Sequence, residues 1–507
     1  MAVAPNSTVR VLRNVPMDQN YRNTLYFAST DAQYNYFSAQ TKYTFTEMTY
    51  QRRESSIYVQ VSPDALFDCN YIMYQNTNYN TRWFYAFITA VNYVNDNTAE
   101  IVFQMDVIQS WWGNWELEQC FVEREHSATD NIGDNLVPEN LETGDLIAYD
   151  DLTSTGYSYL QIGVASTFND DENLSPSFGA LYGGVYSGLS INAYTDASQV
   201  NDLIERATEQ SKADGIISIF MIPRESVVDI GEDPVTRTQT IDKHLNNLDG
   251  YTPKNNKLFT YPYNYLYLTD LNGNMAEFHY EYFSSSNCVF KIAGDMTPDP
   301  TLIMYPTNYK GIENNYNEKM AISGFPQCAW ASDTYKAWLA QNATGTVIGS
   351  LASAGYNVGA GLSAVENKSV GGLVSASSAI SGTVLSTINT FITKSFLPHQ
   401  AHGQNGNSSL AALHLKAFYY APVGIQAQFA KIIDEFFTMY GYATHRVKVP
   451  NISARSQWNY TKTIGCLVKG YCPASDIREI EQIFDKGITF WKNPANVGNY
   501  SVDNSPS

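Results

Sequence analysis

TAEIVFQMDVI, residues 98–108, sets Ile101, Phe103, Met105 and Val107 at every second position. Successive side chains of a strand point to opposite faces, so this spacing describes a half-buried β-strand. SSIYVQVS, residues 55–62, repeats the pattern with Ile57, Val59 and Val61. Asn95-Asp96-Asn97 supplies turn chemistry just upstream of the first run. Further on, YNYLYLTDLNGNMAEFHYEYF, residues 263–283, holds Asn272-Gly273 between two alternating aromatic runs. That combination is a hairpin signal. The first 165 residues read as strands, and the chain as mainly β with a few helices.

The helices are few. Asp196-x-x-Gln199 can cap a helix whose apolar face is Val200, Leu203, Ile204 and Ala207, ending near Gly215 and feeding the strand IISIFMI. A second carries Ile425, Phe429, Ile432, Ile433, Phe436 and Phe437, with Gly441 as its stop. A third starts near Asp476-x-x-Glu479, buries Ile477, Ile480 and Ile483, and stops at Gly487. No short-period repeat is present.

A chain of 507 residues exceeds one ordinary core, so two to four domains are expected. Only 16% of residues are charged while 14% are aromatic, including 37 Tyr, a mixture suited to pleated, half-buried surfaces. The net charge of −19 argues against a surface that grips nucleic acid, which needs basic patches. It is compatible with a surface that nucleic acid slides past. Cys69, Cys120, Cys288, Cys328, Cys466 and Cys472 form no CxxC pair, so they read as reduced, buried thiols of a protein folded in a cytoplasm. The opening residues lack the apolar core of a signal peptide.

The densest polar cluster is FVEREHSATDNIGDNLVPENLETGD, residues 121–145. Glu123, Glu125 and His126 could suggest acid–base work of the kind that paired carboxylates perform on glycosides. Glu123 and Glu125 would share one strand face, and ion pairing through Arg124 is the plainer reading. His399 and His402 lack a nearby carboxylate or thiolate to complete a metal site. Gly359–Ala364 imitates a dinucleotide fingerprint without its strand or acidic partner. No GxSxG, Walker loop or HExxH occurs, so no enzyme, cofactor or metal is expected.

One stretch departs from all of this. From Ala337 to Val365 and again from Ser369 to Thr393 there is no Asp, Glu, Lys or Arg; Glu366 and Lys368 form a polar tip between the two arms. Each arm exceeds the roughly 20 residues that cross a bilayer as a helix, yet Gly and Ser leave each weakly apolar. Gly345, Gly349 and Ser353, then Gly355 and Gly359, then Gly371, Ser375 and Ala379 recur at four-residue spacing, which lets backbones approach closely. Val347, Ile348, Leu351 and Leu362 supply apolar bulk in the first arm. Leu373, Val374, Ile380, Val384, Leu385, Ile388, Phe391 and Ile392 supply it in the second. A flexible linker rarely carries so many Val, Ile and Leu. The segment reads as a packed, releasable apolar hairpin that acts on membranes.

Several motifs in fixed order carry a resemblance: NVPMDQNYRNTLYF (14–27), RWFYAFITAVNY (82–93), FVEREH (121–126) with VPENLETG (137–144), FPQCAWASDTYKAWLAQN (325–342), WNYTKT (458–463) and IFDKGITFW (483–491). Together they make the chain resemble the tail-knob, or distal tail-tube, proteins of small short-tailed phages of Gram-positive hosts. The resemblance implies tail-tube-like β-barrel domains that assemble as a hexameric hollow cylinder in the virion tail. It implies other tail proteins as partners, and double-stranded DNA passing through the lumen without specific binding. It also implies that the long apolar loop, here Gly345–Thr393, plugs the tube and is released to breach the host membrane. On this reading residues 1–165 are a tail-tube-like domain and 166–330 a β-rich body with one helix. Residues 331–415 are the apolar loop, and 416–507 an α+β closing region. The rival readings are a receptor-binding or cell-wall-degrading tail component and a free pore-forming toxin.

Overall fold

The structure, a computed structural model, describes residues 6–48, 54–78, 80–177, 181–182, 185–186, 189–227, 235–297, 299–325, 327–329 and 416–506. The chain forms two compact units, each assembled from separate stretches. Unit 1 comprises Met1–Glu142, Pro253–Lys257 and Gln428–Ser507; unit 2 comprises Thr143–Thr252 and Leu258–Ala427. The architecture is mainly antiparallel β, as the alternating sequence runs require.

In unit 1 the strands lie in the order Thr41–Met48, Ser7–Arg13, Cys69–Asn76, Phe84–Asn95, Thr98–Met105, Glu54–Val59. Val9, Val11, Ile57, Val59, Ile72, Ala86, Ala99, Ile101 and Phe103 share one apolar cluster. Apart from Leu66, its buried members all come from this sheet, which therefore curls around its own apolar face. The predicted run at 98–108 ends early. Its strand stops at Met105, and Asp106 caps a short helix, Val107–Ser110, by accepting from Gln109 N at 3.0 Å. Val107 is therefore helical, and Val61 lies beyond the end of its strand.

The opposite sheet face receives the helix Thr30–Ala39, which packs Phe37 against Tyr71, stacked at 5.3 Å, and Tyr85, tilted at 4.6 Å. This helix was not anticipated. Its only strong mark in the sequence is Ser29, whose hydroxyl accepts from Ala32 N.

The second sheet of unit 1 orders Thr24–Leu25, Ile488–Trp491, Trp458–Ile464, Cys120–Glu125 and Tyr442–Lys448. Trp458 and Trp491, both fully buried, lie 5.0 Å apart at its centre. The helix Ala474–Lys486 adds Ile480, Ile483 and Phe484 to that core. It begins two residues before the predicted cap. Asp476 lies inside the first turn and accepts instead from Trp111 Nε1 at 2.8 Å, while Ile477 is only half-buried. Gly487, at φ +99°, ends the helix as expected. In the helix Ala427–Tyr440, Ile433 and Phe437 are buried, but Ile432 is 63% exposed and Ile425 belongs to the preceding strand.

Among the described residues, unit 2 contains three sheets of four or more strands. In one, Phe418–Ile425 lies between Leu146–Ala148 and Asn264–Thr269, with Met275–Phe278 completing the predicted hairpin. The connection is longer than a two-residue Asn-Gly turn. Asp270 gathers Asn272 N, Asn274 N and Asn274 Nδ2 at 2.8, 3.0 and 2.6 Å, with Gly273 at φ +104°. A second sheet orders Ser190–Tyr194, Leu160–Ser166, Ile216–Pro223 and Gln327–Ala329. On it lies the helix Ala197–Glu209, capped by Asp196 and Gln199 as predicted, with Val200, Leu203, Ile204 and Ala207 in the core. The third is built on Cys288–Gly294 and Leu302–Tyr309.

Candidate functional site: the polar cluster and the base of the apolar segment

Residues 121–142 of the cluster lie in unit 1, where they meet elements far apart in sequence. A β-bulge opposite Lys462 and Thr463 falls at Glu123, and it overturns the expectation that Glu123 and Glu125 share a face. Glu123 stays half-exposed and pairs with Lys462 at 2.7 Å. Glu125 turns inward, is 4% exposed, and accepts from Lys448 Nζ at 2.5 Å and Asn451 N at 3.0 Å. Arg124 reaches Glu139 and donates to Gly441 O at 2.6 Å. Glu139 also accepts from Lys257 Nζ at 2.5 Å and Ala443 N at 3.1 Å. Asp434 binds Lys254 N and Asn255 N at 2.8 and 3.0 Å, which fixes the inserted segment Pro253–Lys257.

His126 is buried between Tyr460 N, which donates to Nδ1 at 2.8 Å, and Thr438 O, 3.1 Å from Nε2. The ring therefore carries its proton on Nε2 and is neutral. Burial, reinforced by the charge of Arg455, pulls its pKa down to about 3. These carboxylates are paired to cations and backbone donors, an arrangement that ties strands together. No general acid faces a base across a cleft here. Among the described residues no group of His, Cys, Asp and Glu is arranged to hold a metal ion.

Gly441 closes this region. Its φ is +66°, and a Cβ there would meet Glu125 O at 2.2 Å. Gly441→Ala is expected to cost about 2 kcal/mol or more, from the left-handed backbone and the backbone clash together. Denaturant unfolding of the variant checks this.

The membrane-segment residues singled out above, from Gly345 to Ile392, all lie outside the described residues, as do His399 and His402. The structure does describe their base, in unit 2. The chain leaves by the edge strand Gln327–Ala329, paired to Ile216–Pro223, and is described again from Lys416, just before Phe418–Ile425. The two flanks meet, because Lys416 Nζ donates to Ser323 O at 2.5 Å. Burial lowers the Lys416 pKa, while Asp299 and Asp270 oppose that shift. Gly324, at φ +76°, turns the chain beneath this ammonium. Phe325 and Phe418, 2% and 0% exposed, anchor both flanks in one core with Tyr157. The sequence marked the apolar arms but gave no sign that their flanks converge.

The curled β-sheet of residues 7–105 coincides with a match to the family described as Caudoviral major tail protein N-terminus, over residues 5–116. The molecule is thus a structural protein of a phage tail. Residues 231–505 match the family described as Bacillus phage phi29, Tail knob protein gp9, C-terminal domain. The chain belongs to that tail-knob family. It is 26% identical to the tail knob protein gp9 of Bacillus phage PZA, covering 99% of this chain and all of the relative. To the gp9 of Bacillus phage phi29 it is 25% identical over the same shares. The solved structure of the bacteriophage C1 tail knob protein, gp12, shares the fold with a TM-score of 0.67, at 15% identity over 99% of this chain and 100% of that one. The protein is accordingly a virion tail component and not an enzyme.

Proposed function

We propose that six copies of this chain close into a ring whose lumen conducts the double-stranded genome, and that Gly345–Thr393 plugs the lumen until released into the host membrane. Other tail proteins would stack on the ring. The strands Thr41–Met48 and Tyr442–Lys448 are end strands of their sheets, and lateral association would cover such edges. An excess of negative charge, −19 per chain, would keep duplex DNA from adhering in transit.

The observation that carries the membrane reading is the convergence of Ser323 and Lys416, which flank the arms in sequence. A long apolar segment with both feet rooted in one core can be withdrawn or deployed without unravelling the sheets. Exposing it to water costs about 25 cal/mol per Å² of apolar surface, which insertion into lipid offsets. Nothing in the cluster at Glu123 and Glu125 favours wall cleavage instead, since both carboxylates are committed to lysines.

Packing rather than bulk hydrophobicity is expected to set the activity. Gly349→Ile combined with Gly359→Ile should fold and assemble, yet release liposome contents at least about tenfold more slowly. Small residues at four-residue spacing let helix backbones approach closely in lipid, and an isoleucine at such a position holds them apart. Faster release, following the added apolar area, would contradict the proposal.

A further inference from the structure

Two thiols of unit 1 are placed to meet. Cys120 opens the strand Cys120–Glu125, and Cys466 lies two residues past the end of Trp458–Ile464. Phe121 pairs with Ile464, and Glu118 N donates to Leu467 O at 2.9 Å, so the two backbones run side by side on both sides of these cysteines. Each side chain is 4% exposed in the same apolar core. The two thiols act on each other's titration, as neighbouring groups do. The Cys466 backbone is fixed by donating to Asp485 Oδ1 at 3.0 Å, the same oxygen that accepts from Thr463 Oγ1 at 2.8 Å.

We propose that Cys120 and Cys466 are an intramolecular disulfide site, open while the chain is made in reducing surroundings and closed by a small-molecule disulfide once the particle stands in an oxidising medium. A virion protein makes that passage when the particle leaves the cell, and disulfides persist only on the far side of it. The Cys466 thiolate attacks one sulfur of the small disulfide, breaking its S–S bond and expelling a thiolate. The Cys120 thiolate then attacks Cys466 Sγ, which breaks the mixed disulfide and expels the second thiolate. The two cysteine protons end on the two released thiols, and the electron balance closes. The flanking residues Gly465 and Leu467 are exposed, which gives the oxidant an approach through the turn.

Burial pushes the Cys466 thiol up to about 12 and raises that of Cys120. Few thiolates are present at neutral pH, so closure is slow and quickens as pH rises. The same burial shields the finished bond, which makes this a one-way maturation. Topology gives it a purpose. Thr143–Thr252 and Leu258–Ala427, the whole of unit 2, lie between the two cysteines in sequence. The bond would join covalently the two arms of unit 1 from which that long excursion departs.

The full-length chain, purified with reductant and then held with oxidised glutathione at pH 8.5, provides the test. Intact mass should fall by about two hydrogens, and a peptide map should link Cys120 to Cys466. The unfolding temperature should rise by about 5 °C. Cys120→Ser and Cys466→Ser should each abolish the link and the shift. Because either variant could fold poorly, alkylation of the oxidised wild-type chain after denaturation gives an independent reading in which these two thiols are protected. Alkylation of both Cys120 and Cys466 after prolonged oxidation, a lasting glutathione adduct on either, or a link from either to another cysteine would each overturn the proposal.

Discussion

Deleting Gly345–Thr393 is expected to leave a folded, assembling protein that no longer releases the contents of liposomes. The flanks do not depend on the segment. Phe325 and Phe418 sit in the core of unit 2, Gln327–Ala329 is held by Ile216–Pro223, and Lys416 reaches Ser323 directly. The residues remaining between Ala329 and Lys416 easily close so short a gap. Shortening the connector changes closure entropy by less than about 1 kcal/mol, because that cost grows only with the logarithm of length. Circular dichroism and size-exclusion elution should therefore match the parent, while dye release falls to the background of protein-free vesicles. A deletion variant that aggregated would make the segment part of the core and end the account of it as a deployable element.

The second large effect concerns acid. His126 ionises near pH 6.5 in an unfolded chain and only near 3 in the fold. Its contribution to stability is whole above about pH 6.5 and is lost as pH falls towards 3, because the unfolded chain takes up the proton first. The loss is about 2 kcal/mol by pH 5 and roughly 4–5 kcal/mol below both values. The geometry gives the reason. A proton on Nδ1 would face the Tyr460 N–H, donor against donor, with Arg455 adding repulsion. Asp106 acts the other way. Burial raises its carboxyl to about 6, so acid relieves a strain that its bonds to Tyr71, Tyr21 and Gln109 only partly offset. The wild-type slope alone mixes the two effects, and His126→Gln separates them. Glutamine can accept from Tyr460 and donate to Thr438 without titrating. The variant should gain about 2 kcal/mol relative to the wild type between pH 7 and pH 5 in denaturant unfolding. A gap that stays constant with pH would show that His126 is not held neutral by this environment.

Much of the fold was legible because its signals are local. The alternation at Ile57 and Val59 and at Ile101, Phe103 and Met105 marks faces that are buried in the curled sheet. The Asp196 capping box and the hairpin around Gly273 were legible for the same reason, since a cap and a turn are specified within a few residues. What could not be read depends on distant pairing. Nothing near Cys120 says that its strand lies between Trp458–Ile464 and Tyr442–Lys448. The bulge that sends Glu123 outward and Glu125 inward is a property of that pairing, so strict alternation misplaced them. Ile425 fits a helical period and still belongs to a strand, because an apolar residue at an element boundary satisfies both periods. The side-by-side course of the Cys120 and Cys466 backbones and the Ser323–Lys416 clasp are equally invisible to any local pattern.

The central claim is that this tail-knob chain builds a conduit. Electron-microscope images of the purified full-length protein test it most directly. The account predicts rings with six-fold symmetry and a central channel, blocked in the intact protein and open in the variant lacking Gly345–Thr393. Particles that stay monomeric at all concentrations, or rings without a channel in the deletion variant, would contradict it.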